Sequence, residues 1–325
     1  HYSALRDSPD VPLFNRAVQG QYPPGSTIKP MMGMAGLESG LVTPETTVPD
    51  PGWYRLPGDS HRYRDWILRI RGTGHAPQVD LKMAIAESCD TYFYSLATQL
   101  GIDPMTEILG EFGLGTTTGI DIGPESSGLV PSKDWKRRNF AKPADQVWFP
   151  GETVITGIGQ GYMLATPLQL AHATAAIAAR GTRYQPALVK GTRDPVTGIL
   201  KSRVPLRLAP IEVADEAFWD QIIGSMQGVI TDPRGTARAL GKDAPWSIAG
   251  KSGTAQVFSV AQDEEYDETE LAERMRDHAL FVAFAPVENP RIAVAVIVEN
   301  GSSGSGVAGP VARQVIDAYL GDSTS

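Results

Sequence analysis

The sequence predicts an α/β fold in which a mainly antiparallel central sheet is flanked by helices and stands beside a mostly helical lobe. Three observations predict it. From residue 246 onward the apolar residues lose helical spacing, and residues 246–260, 279–285 and 291–299 read as strands. The last two are nearly continuous apolar runs joined by Pro286-Val287-Glu288-Asn289-Pro290, a composition suited to strands covered on both faces. Upstream, apolar residues recur at helical spacing in several separate stretches. With 325 residues, 42% hydrophobic and 20% charged, the chain is long enough to bury a sizeable core.

In order, residues 1–25 are polar and proline-rich. A buried helix is expected to begin at Ser26: Pro23, Pro24 and Gly25 block helix before it, and Met31, Met32, Met34, Ala35 and Leu37 supply apolar positions up to a stop at Gly40. Pro30 disfavours helical backbone at Lys29, so the first turn should be tightened. Residues 43–79 are dense in Pro, Gly, Trp and Arg and too long for a structureless loop, which predicts a functional loop or a folded insert. Residues 81–100 read as one helix closed by Gly101, and residues 104–114 as another. A glycine-rich stretch of turns follows over 115–130. Thr166 caps a helix over 166–179 with Pro167 at its first position. A helix over 214–230 runs into the turn Thr231-Asp232-Pro233-Arg234-Gly235, and an amphipathic helix over 307–320 ends the fold. The acidic stretch 262–277 reads as a solvated loop between two strands.

A net charge of −8 argues against nucleic acid as a partner, because phosphate backbones need a positive footprint. No run of 18 apolar residues occurs; the nearest, 164–179, is broken by Pro167, Gln169 and His172. The chain opens at His1-Tyr2-Ser3 without a methionine, so it is expected to be part of a longer protein, with any membrane anchor upstream. The single Cys89 has no partner for an internal disulfide.

Three short motifs carry chemistry together. In Pro24-Gly25-Ser26-Thr27-Ile28-Lys29, helical spacing puts the serine and lysine on one face, about 5–6 Å apart at Cβ. Ser88-Cys89-Asp90 lies beside a strongly periodic helix that could face its hydroxyl into a cleft. Lys251-Ser252-Gly253-Thr254 lies in a predicted strand, where a cation and two hydroxyls suit a carboxylate and Gly253 lets a substrate backbone approach closely. Each motif alone also fits an ordinary polar surface.

The combination Ser-x-x-Lys, Ser-Asp-Asn and Lys-Thr-Gly is the signature shared by penicillin-binding proteins and class A β-lactamases, and here Ser88-Cys89-Asp90 and Lys251-Ser252-Gly253 stand for the last two. The chain resembles the penicillin-binding protein transpeptidases over nearly its whole length. The wording Gly157-Ile158-Gly159-Gln160-Gly161 and Ala249-Gly250-Lys251-Ser252-Gly253-Thr254 carries the family resemblance. Within the family the chain is most similar to the elongation-specific class of Gram-negative bacteria, through Asp50-Pro51-Gly52-Trp53, Tyr63-Arg64-Asp65-Trp66 and Ser88-Cys89-Asp90-Thr91-Tyr92-Phe93-Tyr94. The resemblance implies one two-lobed transpeptidase domain over residues 1–325, with membrane anchor and pedestal upstream, at the periplasmic face of the inner membrane. It implies D,D-transpeptidation of peptidoglycan stem peptides through a Ser26 acyl-enzyme, in wall elongation and rod-shape maintenance. β-Lactams would acylate the same serine.

In the implied mechanism Lys29, in its neutral form, is the base that a weak serine nucleophile needs. Ser88 relays the proton toward the leaving amine, and Asp90, where most of the family has asparagine, orients its neighbours. Lys251, Ser252 and Thr254 hold the terminal carboxylate, and the N–H groups of Ser26 and Thr254 form the oxyanion hole. The resemblance further implies a glycan polymerase of the elongation machinery as partner. Catalysis needs no cofactor, but some relatives hold a zinc ion, and Asp50, Asp65, His75 and Cys89 supply zinc-compatible donors that would brace the loop before Ser88.

Rival readings are a Ser-His-Asp hydrolase, for which no Gly-x-Ser-x-Gly elbow exists, and a β-lactamase or D,D-carboxypeptidase on the same fold. No Glu-x-x-Leu-Asn stretch supplies the deacylating glutamate of a class A lactamase. A sensor that is acylated once and signals is the remaining alternative.

Overall fold

The computed structural model describes residues 2–256 and 273–322. Its organising element is helix α1, Lys29–Glu38, in which every residue from Lys29 to Leu37 is buried. A helix apolar all round belongs inside a fold, and α1 is packed against α2 (Leu81–Ala86), α3 (Asp90–Leu100), α4 (Ile102–Glu111) and α7 (Ala217–Thr231). The expected tightening before Pro30 is present: residues Gly25–Ile28 form a 3-10 turn, and regular α-helix begins at Lys29 rather than at Ser26.

The single helix expected over residues 81–100 is two helices. Ser88 takes a left-handed φ of 61°, and Cys89 becomes the N-cap of α3, its sulfur accepting the amide of Tyr92 at 3.5 Å. Apolar periodicity runs through the break because both helices bury a face in the same core, so spacing alone does not reveal it.

Residues 43–79 form a folded insert. Val48–Pro49 pairs with Gln78–Val79, Trp53–Tyr54 pairs with Tyr63–Arg64, and a short helix, Trp66–Arg71, lies between, capped by Asp65 and closed by left-handed Gly72. Two short helices at Lys133–Asn139 and α5 (Pro150–Thr156) were not legible in a polar, proline-containing stretch. The predicted Thr166 cap opens α6 (Pro167–Ala178), with Gln169 completing a reciprocal capping box.

The sheet is antiparallel in the order β1 (Ala249–Ala255), β2 (His278–Ala285), β3 (Ile292–Val298), with Lys251 opposite Val282 and Val282 opposite Ala295. Strand β2 is buried almost throughout, as its apolar composition requires. Helices α6 and α7 pack together on the sheet, and the last helix, α8 (Gly309–Asp322), covers β2 and β3. The acidic stretch read as a solvated loop lies mostly outside the described residues, as does the expected continuation of β1 over 257–260.

Candidate active site

Three segments converge where α1, the α2–α3 junction and β1 meet. The Ser26 turn is clamped on both sides: the Gly25 amide donates to Gly159 O at 2.9 Å, and a Cβ at Gly25 would lie 2.4 Å from Thr254 O. Gln160 Nε2 donates to that same Thr254 carbonyl at 2.8 Å. Turn, loop and strand are thus one unit, with the amides of Ser26 and Thr254 on adjoining segments.

Lys29 is fully buried, and Nζ donates to Asp90 Oδ1 at 2.6 Å, Ser88 O at 2.8 Å and Ser88 Oγ at 3.3 Å. Its Nζ also lies 5.3 Å from the centre of the Phe93 ring. Lys251, equally buried, donates from Nζ to Ser88 Oγ at 2.8 Å. The Ser88 hydroxyl therefore stands between two lysine amines. Burial, then the charge of Lys29, push the Lys251 amine well below the usual lysine range, against the opposing pull of Asp90. Burial also raises the Asp90 carboxyl, with Lys29 opposing.

Lys251 Nζ is buried against Ser88, while the half-exposed hydroxyls of Ser252 and Thr254 stand on the accessible face of β1. Gly253 has a packing role: a Cβ there would come 2.8 Å from Thr27 Cγ2 and 3.1 Å from Pro24 O, so glycine lets the nucleophile turn sit against the strand. Asp90, expected among the substrate-binding residues, directs Oδ1 at Lys29.

Sequence reasoning assigned no role to Gln160, Trp66 or Glu87. Trp66 Nε1 donates to Ser88 O at 3.0 Å, fixing the carbonyl of the left-handed residue. Only the glycine-rich wording around Gln160 marked it beforehand.

Behind Ser88 lies a second cluster. Ligand atoms of Asp50, Asp65, His75 and Cys89, all buried, lie within 4.8 Å of one another. The ten residues from Asp65 to His75 are taken up by the helix Trp66–Arg71, which returns His75 beside Asp65, with Nε2 and Oδ1 at 3.2 Å. Cys89 Sγ lies 3.5 Å from Asp50 Oδ2. Burial, then Asp65 and Asp50, push the Cys89 thiol well up. Burial raises the Asp65 carboxyl too, but His75, Lys29 and the Thr91 amide outweigh it and hold it at about 2. Two carboxylates, a thiol and an imidazole crowded in a buried space are a donor set that suits zinc.

The family model for the penicillin-binding protein transpeptidase domain matches residues 2–317. This chain belongs to that family. Among related transpeptidases, the peptidoglycan D,D-transpeptidase MrdA of Escherichia coli K12 is 42% identical over 325 residues, all of this chain and 49% of the relative. The chain thus spans about half the length of that relative. Pseudomonas aeruginosa PBP2 in complex with WCK 5153 is similar in structure, with a TM-score of 0.84, 48% identity, and coverage of 98% of this chain and 63% of the other. A peptidoglycan synthase complex described as coordinating polymerization and crosslinking contains a chain with a TM-score of 0.79 and 31% identity, covering 98% of this chain and 50% of that one. The three motifs of that family are the three segments brought together here.

Proposed function

We propose that this chain is the transpeptidase domain of an elongation-class peptidoglycan D,D-transpeptidase. The observation that carries the reading is the chain of contacts from Lys29 through Ser88 to Lys251 at 3.3 and 2.8 Å, starting three residues after Ser26 at the end of its clamped turn. Ser26 Oγ attacks the carbonyl carbon of the penultimate D-alanine, and its proton passes to the amine of Lys29. The peptide C–N bond breaks, Ser88 relays a proton to the departing D-alanine amine, and an ester to Ser26 remains. The amine of a second stem peptide attacks that ester; the C–O bond breaks and the proton returns to Ser26. Ser252 and Thr254 hold the terminal carboxylate, and the amides of Ser26 and Thr254 receive the oxyanion. A β-lactam ring opens on the same serine.

Asp50, Asp65, His75 and Cys89 would hold a structural zinc ion. The ion would supply the positive charge that this cluster lacks, and acyl transfer would proceed without its participation. The periplasmic face of the inner membrane as location, wall elongation as role and a glycan polymerase as partner follow from the family resemblance; the similarity to the synthase complex supports the last.

Intact-protein mass spectrometry after incubation with a penicillin tests the reading. One stable adduct, absent in Ser26→Ala, is expected, and stem-peptide cross-linking in vitro separates a transpeptidase from a sensor. A folded protein without an adduct overturns the acyl-enzyme; a transient adduct with drug hydrolysis makes it a lactamase.

A further inference from the structure

His75 is held between two carboxylates. Its Nε2 lies 3.2 Å from Asp65 Oδ1 inside the cluster, and its Nδ1 lies 3.5 Å from Glu87 Oε2 outside it. Both side chains are almost wholly buried, at 1% and 3% exposure, and Nδ1 and Oε2 are among the buried polar atoms without a hydrogen-bond partner. The two unpartnered atoms face each other. The other oxygen, Glu87 Oε1, accepts from Arg234 at 2.9 Å. Arg234 lies in the turn after α7, two residues before Thr236, whose amide donates to Ala86 O and whose hydroxyl lies 3.0 Å from Ser252 Oγ.

A neutral imidazole carries one N–H and one lone pair. An imidazolium would donate to both carboxylates, but a metal ligand needs a free lone pair on Nε2. With a cation on the Nε2 side, that lone pair faces the cation and the proton on Nδ1 faces Glu87. Imidazole ligands commonly donate their second nitrogen to a carboxylate, and loss of such a partner costs roughly 10–100-fold in metal affinity.

We propose that Glu87, anchored by Arg234, is the positioning residue that fixes His75 as an Nε2 metal ligand by accepting its Nδ1–H. This rests on the zinc reading given above. Glu87 lies one residue before Ser88, so the residues 87–90 serve the metal cluster and the acylation cleft in alternation.

The test is zinc affinity, measured by competition with a chromophoric chelator on stripped and refilled protein, for wild type, Glu87→Ala, Glu87→Gln and Arg234→Ala. Glu87→Ala should weaken binding by about 10–100-fold. Glu87→Gln, which keeps an acceptor oxygen, should fall between, and Arg234→Ala should show the smallest loss. Wild type that binds no zinc overturns the zinc reading and this inference together. Wild type that binds zinc, with Glu87→Ala equally tight, overturns this inference alone. Nitrogen-15 NMR of histidine-labelled, zinc-loaded wild type, with His75 assigned through His75→Gln, gives a readout independent of any Glu87 variant's folding. Protonated Nδ1 is expected; protonated Nε2 overturns the proposal.

Discussion

On one side of residues 87–90, the cleft buries Lys29 and Lys251 against the single carboxylate of Asp90. On the other side, the insert cluster buries Asp50, Asp65 and Glu87 with Cys89 around His75, and the nearest guanidinium, Arg234, is partly exposed. The cleft has surplus amine and the cluster surplus carboxylate, within the reach of four consecutive residues. Buried charge left uncompensated is costly, so the cleft loosens the proton on the Lys251 amine while the cluster is where a cation would stabilise most.

The largest effect that separates the two regions should come from Asp90. Asp90→Leu leaves Lys29 without its carboxylate and should cost about 3–5 kcal/mol of stability. Asp90→Asn, which keeps an oxygen toward Nζ, should retain the fold and penicillin acylation. Urea denaturation with mass-spectrometric labelling compares them, and equal losses would place the importance of Asp90 elsewhere than in its contact with Lys29.

The clamp around Ser26 ranks next. Gly25→Ala introduces a Cβ against Thr254 O at a position with φ of 52°, and Gly253→Ala introduces one against Thr27. Each should cost about 1–3 kcal/mol through overpacking and slow acylation, while leaving zinc content unchanged. Acylation rates and metal analysis on the same preparations check this separation.

Cys89→Ser sharpens the comparison from the other side. Serine is a good N-cap, so the cap on α3 survives while the thiolate ligand is lost. Zinc affinity should fall sharply, and metal-free stability should move by no more than about 1 kcal/mol, read from chelator competition and thermal unfolding.

The last expected signal is a slope with pH rather than a single loss. The Lys251 amine is pushed down in the folded protein, so between its folded value and the unfolded value of about 10.4 the unfolded chain binds the extra proton. Stability from this group therefore rises with pH through that window, by at most about 1.36 kcal/mol per unit. Lys251→Met should lose that rise, seen as the difference between wild-type and variant urea midpoints from pH 7 to 9.5; parallel curves would refute it.

Local chemistry written in few residues was legible in the sequence: the tightened turn before Pro30, the Thr166–Pro167 cap and the apolar strands around Pro286–Pro290. The three motifs also named most of the cleft. What escaped was set by packing between distant segments. The break at Ser88 interrupts no apolar spacing, and the role of Gly253 depends on Thr27, more than two hundred residues away. The clamp by Gln160 depends on a carbonyl of β1. Asp65 was read as a metal donor, yet its Oδ2 also accepts the amides of Asp90 and Thr91, at 2.7 and 2.9 Å, a contact that no local pattern encodes.

That contact makes two amides into clocks. The N–H groups of Asp90 and Thr91 can swap hydrogen for deuterium only when Asp65 lets go, and the other oxygen of Asp65 faces His75. Their exchange lifetimes record how firmly the insert grips the start of α3, one residue beyond the cleft, and they do so without any label on the nucleophile.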